Sequence, residues 1–332
     1  MRAVVHIGFP KTGTSSIQNY CSKNEAQLLE QGVLWARTGR ILSFKDRARH
    51  MGLRFAFEPV ETFPTPLMKI YGLEKPWRRR LFARRFLAKL DRELAAHSTA
   101  QTAFFSAEEL SGTRDSAMVQ NLHDAFKTRF DRVQIFCIIR EPFSYLASSY
   151  SQSVKIGSTL SWSKMLDKQR KSTLFLSQIC KWQEVFGDEN VIVRPLRGNA
   201  LEQIAPVLSC DIQIDRPARH NAGLSFAGIE LLHQLNNTYA NAGRKRPGKI
   251  RKAFEKHMTG SPWRPDINQI DVVYDMVASE LDELRQLRTF SKDDLDYLTQ
   301  NWSAEQARNK IGSRPISDDN TGMLDLLMDA FD

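Results

Sequence analysis

Hydrophobic and polar positions alternate in two rhythms along this chain. Short, nearly unbroken apolar runs at 2–8, 32–35, 102–106, 132–139 and 190–195 predict β-strands. The run Arg132-Val133-Gln134-Ile135-Phe136-Cys137-Ile138-Ile139 is the clearest, and its continuity suits a central parallel strand covered on both faces. Between these runs apolar residues return at spacings of three and four. They predict helices over 14–30, 46–56, 76–97, 115–128, the stretch after Pro142, 173–186 and 201–208. Beyond Asn221 strand signals cease, and helices are expected over 224–242, 247–258, 267–289 and 291–303. Strands alternating with helices predict a three-layer α/β fold, a central parallel sheet flanked by helices, with an added helical C-terminal region. The expected division is an α/β core over 1–220 and a helical extension or cap of the same domain over 221–332.

In such a sheet, ligands lie outside the carboxyl ends of the strands. The first strand runs directly into Gly8-Phe9-Pro10-Lys11-Thr12-Gly13-Thr14-Ser15-Ser16 and then into a helix. A strand, a tight loop and a helix N-terminus form an anion site, because loop N–H groups and the helix dipole both favour negative charge. Gly8 and Gly13 match the two glycines of a Walker A loop, but Thr14 stands where that motif has its lysine. The lysine is Lys11, inside the loop. Past the other strand ends stand Glu108 and Glu109, then Arg140 with Ser148 eight residues on, then Arg194. Arg140 and Ser148 together could clamp a second phosphate. Each taken singly is an ordinary strand-end arginine or helix-surface hydroxyl.

Charge narrows the partners. The 332-residue chain carries a net charge of +9, which favours nucleotides, sulfated or phosphorylated sugars, nucleic acid or a membrane surface. Arg78, Arg79, Arg80, Arg84 and Arg85 form one basic cluster, read as a solvated helix face or, more sharply, as a rim that attracts an anionic substrate. Arg244, Lys245, Arg246, Lys249, Arg251 and Lys252 form a second. Cys21, Cys137, Cys180 and Cys210 have no C-x-x-C pair and no zinc spacing, so a reducing, cytoplasmic setting without structural disulfides and without a metal is expected. Strand character from the first residues leaves no room for a signal peptide, and no apolar run approaches a membrane span, which leaves peripheral membrane contact open.

Phe9-Pro10-Lys11-Thr12-Gly13-Thr14-Ser15-Ser16 resembles the 5′-phosphosulfate loop of sulfotransferases, and the strand followed by Arg140 and Ser148 resembles their 3′-phosphate motif. The resemblance spans roughly the first two hundred residues and leans toward the bacterial carbohydrate-type enzymes. It implies a fold related to P-loop kinases and a donor, 3′-phosphoadenosine 5′-phosphosulfate (PAPS), with adenosine 3′,5′-bisphosphate (PAP) as product. Pro10, Lys11, Thr12, Gly13, Thr14, Ser15, Ser16, Arg140 and Ser148 are then the donor-binding residues. Lys11 would stabilise charge on the bridging oxygen, and no metal is needed. The acceptor would be a hydroxyl or amine of a glycan, glycolipid or small metabolite.

Transfer also requires a base for the acceptor proton. Glu108 ranks ahead of His50, with Glu109 as its unresolved neighbour, while His6 sits within the first strand and reads as structural. Arg194 and Asn221 stay outside this core assignment. Two other readings remain: a P-loop kinase using ATP and magnesium, disfavoured by Thr14, and a non-enzymatic basic module binding an anionic polymer, disfavoured by the lack of a stacking motif. Nucleic acid is not the favoured partner.

Overall fold

The computed structural model describes residues 1–40, 49–62, 64–113, 115–213 and 223–312. In chain order its elements are β1 (Arg2–His6), α1 (Thr14–Lys23), α2 (Glu25–Glu30), β2 (Val33–Trp35), α3 (Gly52–Phe57), α4 (Pro66–Ile70), α5 (Pro76–Ala96), β3 (Thr102–Ser106), α6 (Ser116–Phe126), β4 (Arg132–Ile139), α7 (Pro142–Lys155), α8 (Trp162–Gln169), α9 (Leu176–Phe186), β5 (Val191–Pro195), α10 (Ala200–Leu208), α11 (Phe226–Asn241), α12 (Gly248–His257), α13 (Gln269–Gln286), α14 (Lys292–Asn301) and α15 (Ala304–Gly312). Two compact units emerge. Of the described residues, one comprises 1–40, 49–62, 64–113, 115–140, 175–213 and 286–295, and the other 141–174, 223–285 and 296–312.

The first unit holds all five strands in the order β2-β3-β1-β4-β5, every neighbouring pair parallel. This is the α/β architecture expected from the alternating pattern. β1 lies at the centre, with β3 and β4 on either side of it. From β1 the chain builds β2 and β3 on one side and β4 and β5 on the other. The topological switch point therefore falls at β1. Val4 and Val5 of β1, Phe104 and Phe105 of β3 and Ile135 to Ile139 of β4 are fully buried. Burying each such side chain stabilises the fold by about 1.5–3 kcal/mol.

The helix expected over 14–30 is broken in two at Asn24, whose side chain donates back to the Tyr20 carbonyl at 2.8 Å. The breaker is local chemistry: a short amide competes with the backbone ladder. The short helix expected over 46–56 is α3, beginning at Gly52; residues 41–48 lie outside the described residues, as does Asn221. Helices α4, α8 and α15 fall in stretches where no helix was expected. Each of α4 and α8 has a Thr or Ser N-cap, Thr65 accepting from the Met68 N–H and Ser161 from the Lys164 N–H.

The second unit is helical, built on a core of Tyr150, Val154, Ile229, Leu232, Phe254 and Trp263. Tyr150 packs on Trp263 with ring centroids 4.3 Å apart. Glu141 caps α7 through both oxygens, accepting from the Phe143 and Ser144 N–H groups at 2.8 Å each, and also accepts from the Tyr274 hydroxyl at 2.7 Å. At the other end of α7, Asn236 donates to the Val154 and Ser158 carbonyls at 2.8 and 3.0 Å. Arg246 locks that amide by donating to its oxygen at 2.6 Å and donates to the Lys155 carbonyl at 2.7 Å. One member of the second basic cluster thus serves as a helix cap. Asn236→Ala removes one hydrogen bond each from the Val154 and Ser158 carbonyls and from Arg246 Nε, and is expected to cost about 2–3 kcal/mol in a denaturant melt of the full chain.

Candidate functional site

At the carboxyl edge of the first unit, β1 leads into the loop 8–13. Gly8 and Gly13 have φ of 107° and 93°, conformations that favour glycine. Gly13 has a second reason to be glycine: a Cβ there would come within 2.5 Å of the Ala200 Cβ at the start of α10. Thr12 and Thr14 are buried, and both hydroxyls donate back to the Phe9 carbonyl. Neither caps α1. That helix has no side-chain cap at its N-terminus and no acidic residue in its first turn. A helix start left without a cap keeps its partial positive charge and its N–H donors for an anion. Lys11 is held in the left-handed region with φ 66°, a conformation that costs a side-chain-bearing residue roughly 1–2 kcal/mol.

The neighbouring strand ends close on this loop from both sides. From β4, Arg140 donates through Nη1 to the Lys11 carbonyl at 3.1 Å. From β3, the Ala107 N–H donates to the His6 carbonyl at 2.9 Å and the Ser111 N–H to the Ile7 carbonyl at 3.2 Å. These bonds carry a 3-10 turn, Glu108–Gly112, against the loop. A Cβ on Gly8 would lie 3.3 Å from the Glu108 Cα. The first unit therefore brings together Lys11, Gly13, Glu108 and Arg140. Pro10, Thr12, Thr14, Ser15 and Ser16 belong to the same loop and first helical turn, with Ser15 and Ser16 exposed. Ser148 is half-buried on α7, in the second unit. Arg194 is half-buried within β5, in register with Ile138 of β4.

No family model and no curated protein sequence matches the chain. Among solved structures, the crystal structure of a sulfotransferase from Alicyclobacillus acidocaldarius is similar at TM-score 0.45 and 15% identity, over 88% of this chain and 98% of that one.

The carboxylates beside the loop are paired. Arg49 Nη1 lies 3.4 Å from Glu108 Oε1 and 3.3 Å from Glu109 Oε1. The Glu109 side chain is the more enclosed, 18% exposed against 27% for Glu108. Arg54 donates to the Glu109 carbonyl at 3.0 Å and pairs with Glu58 at 3.2 Å. Glu58 in turn lines a cavity of about 360 Å³ together with Phe55, Val60, Arg80, Ala83 and Asn121. The loop at 59–62 that walls this cavity is held by Arg79, which is 3% exposed. Arg79 donates to the Pro59 and Thr62 carbonyls at 3.0 Å each and to the Val60 carbonyl. This arginine of the first basic cluster is buried structure and not part of a solvated face.

His50 is fully buried and both ring nitrogens serve the backbone. Nδ1 accepts from the Ser106 N–H at 3.0 Å, which makes Nε2 the protonated nitrogen, donating to the Ala36 carbonyl at 2.6 Å. The ring packs edge-on against Trp35 at 4.4 Å. Burial pushes its pKa down to about 3, and burial does the same to His6. His6 Nδ1 meets the Ser106 hydroxyl at 2.8 Å, and Gln18 donates to that hydroxyl at 3.1 Å. Ser106, the last residue of β3, is the common anchor of His6, Gln18 and His50. Gln18 was not among the expected site residues. It lies beside Ile17 and four residues after Thr14, on the inward face Thr14, Ile17, Gln18, Cys21 that the structure buries.

Two outcomes follow from this geometry. Lys11→Gly removes the left-handed strain and should hold or raise the melting temperature, whereas Gly13→Ala should destabilise by about 1–3 kcal/mol through the collision with Ala200. The histidines fix a pH dependence. Their folded pKa values of about 3 lie below the ordinary 6.5, so the unfolded chain binds more protons between these limits. Their contribution is complete above pH 6.5 and is lost as pH falls toward 3, by up to about 1.4 kcal/mol per pH unit for each histidine. Thermal melts of wild type against His50→Gln across that range should show a shallower loss in the variant.

Proposed function

We propose that the chain is a sulfotransferase that moves a sulfuryl group from PAPS to a hydroxyl or amine. The observation that carries this reading is the loop at Lys11–Gly13 on an uncapped α1, with Arg140 at one adjacent strand end and Glu108 at the other. An uncapped helix start with no acidic residue in its first turn suits the 5′-phosphosulfate. Lys11, carried in the loop and not after Gly13, suits the oxygen that bridges phosphorus and sulfur. Arg140 is assigned to the 3′-phosphate, and Ser148 joins it on the strength of the Arg-to-Ser interval in the sequence.

In the proposed reaction the acceptor oxygen or nitrogen attacks sulfur in line, the bond from sulfur to the bridging oxygen breaks, and PAP leaves. Lys11 and the loop N–H groups stabilise the charge that grows on the leaving oxygen. Glu108 takes the acceptor proton. It is preferred over His50, whose two nitrogens are committed to Ser106 and Ala36, and over the more enclosed Glu109. The acceptor is assigned to the cavity bounded by Glu58 and Arg80, which mixes apolar and polar lining in the way a sugar-bearing molecule requires. The carbohydrate class of the acceptor and a cytoplasmic site of action belong to this same proposal.

Calorimetric titration separates the donor classes. PAP should bind without magnesium, and tighter binding of ATP with magnesium would instead support the kinase reading. Arg140→Ala should weaken PAP by about 10–100-fold. In a transfer assay from radiolabelled PAPS over a panel of glycosides, Lys11→Ala should lower turnover by about 10²–10³-fold and Glu108→Gln by about 10²–10⁴-fold, both with unchanged melts. Near-normal turnover in Glu108→Gln would remove it as the base.

A further inference from the structure

Among the described residues, helix α5 is the last of three helices between the parallel neighbours β2 and β3, and because it leads into β3 its end lies toward the amino edge of the sheet and its first turns toward the carboxyl edge, the edge of the candidate site. Its inner side is fastened by Arg79, Phe86 and Leu90, all buried. Its outer side is basic. Arg78, Arg80, Arg84, Arg85, Lys89 and Arg92 are exposed on it, and among the described residues none of them forms a salt bridge. The segment 69–92 holds nine basic side chains against two acidic ones, Glu74 and Asp91. Asp91 is itself paired with Arg129 at 2.6 Å.

At the leading end of this face stand two large apolar side chains in water. Trp77 is 55% exposed and Ile70, at the end of α4, is 65% exposed. Their exposure is built into packed structure. Met68 and Leu73 anchor the α4–α5 turn in a small core with Met51 and Phe55, and Arg78 ties it down by donating to the Gly72 carbonyl at 3.2 Å. The Arg78 guanidinium lies 5.3 Å from the Trp77 ring centroid. A tryptophan and an aliphatic residue projecting from an unpaired basic stripe match an interface of anionic headgroups over acyl chains. The indole and the aliphatic chain enter the headgroup boundary while the cations meet lipid charge.

We propose that this face, from Ile70 and Trp77 along Arg80, Arg84 and Arg85 of α5, docks the protein on an anionic lipid bilayer. Charge complementarity selects the anionic surface, and the exposed Trp77 and Ile70 select a bilayer over a purely polar polyanion such as nucleic acid or a sulfated glycan. The proposal stands independently of the sulfotransferase reading.

The test is co-sedimentation of the full chain with sucrose-loaded vesicles, of phosphatidylcholine alone or with one lipid in three replaced by phosphatidylglycerol, at physiological salt. Binding is expected on the anionic vesicles only. Arg84→Glu with Arg85→Glu should weaken it at least tenfold, since each cation near the surface contributes about fivefold. Trp77→Ala should weaken it about tenfold while leaving retention on a heparin column unchanged. All these side chains are exposed, and unchanged circular dichroism confirms folding. Quenching of wild-type tryptophan fluorescence by brominated lipid gives a reading without substitution. Failure to sediment with the anionic vesicles overturns the proposal. So does binding that Trp77→Ala leaves intact, which would make the face a plain polyanion site.

Discussion

The first N–H groups of a helix carry partial positive charge and no partner of their own, so most helices spend a side chain on them. In α1 that is not done. The two threonines that could serve, Thr12 and Thr14, both turn back to the Phe9 carbonyl and stiffen the loop. Gly13 lets α10 approach until Ala200 touches the loop, and Arg140 pins the Lys11 carbonyl from the next strand. The surrounding contacts thus hold an electropositive helix start in a fixed position without neutralising it. Preorganised donors of this kind act on developing charge without having to reorganise.

A second constraint lies beneath the first. Ser106 ends β3 two residues before the turn that begins at Glu108, and three buried polar side chains converge on it. His6 and Gln18 meet its hydroxyl and His50 accepts its N–H. Buried polar groups of this sort are costly unless satisfied, and once satisfied they specify a single arrangement. The cluster links β1, α1, β3 and the segment before α3 at one point. This makes the two histidines scaffold, whose neutral state at ordinary pH is a condition of folding.

Arginines divide along similar lines. Arg79 and Arg246 sit within the two basic clusters, yet one holds the loop at 59–62 and the other caps α7. Their neighbours on α5 remain in water. Identical side chains in one run therefore do different work, because burial and available carbonyls, not charge alone, decide what a guanidinium satisfies.

The strand positions, the parallel α/β class and the loop between Gly8 and Ser16 were legible in the linear pattern. They depend on local periodicity and on glycines whose backbone angles few other residues adopt. The order β2-β3-β1-β4-β5 was not legible, nor was the meeting of the Lys11 loop with Arg140 and the Glu108 backbone, because these join positions about a hundred residues apart. His50 shows the difference most clearly. Its sequence surroundings, between Arg49 and Met51 after a strand, suited a base on the substrate side. Only the folded chain surrounds its ring with Trp35, Phe105 and two backbone partners. A residue type and its spacing carry chemical capacity. Whether a nitrogen faces a substrate or a carbonyl is decided by packing among segments that the sequence keeps far apart.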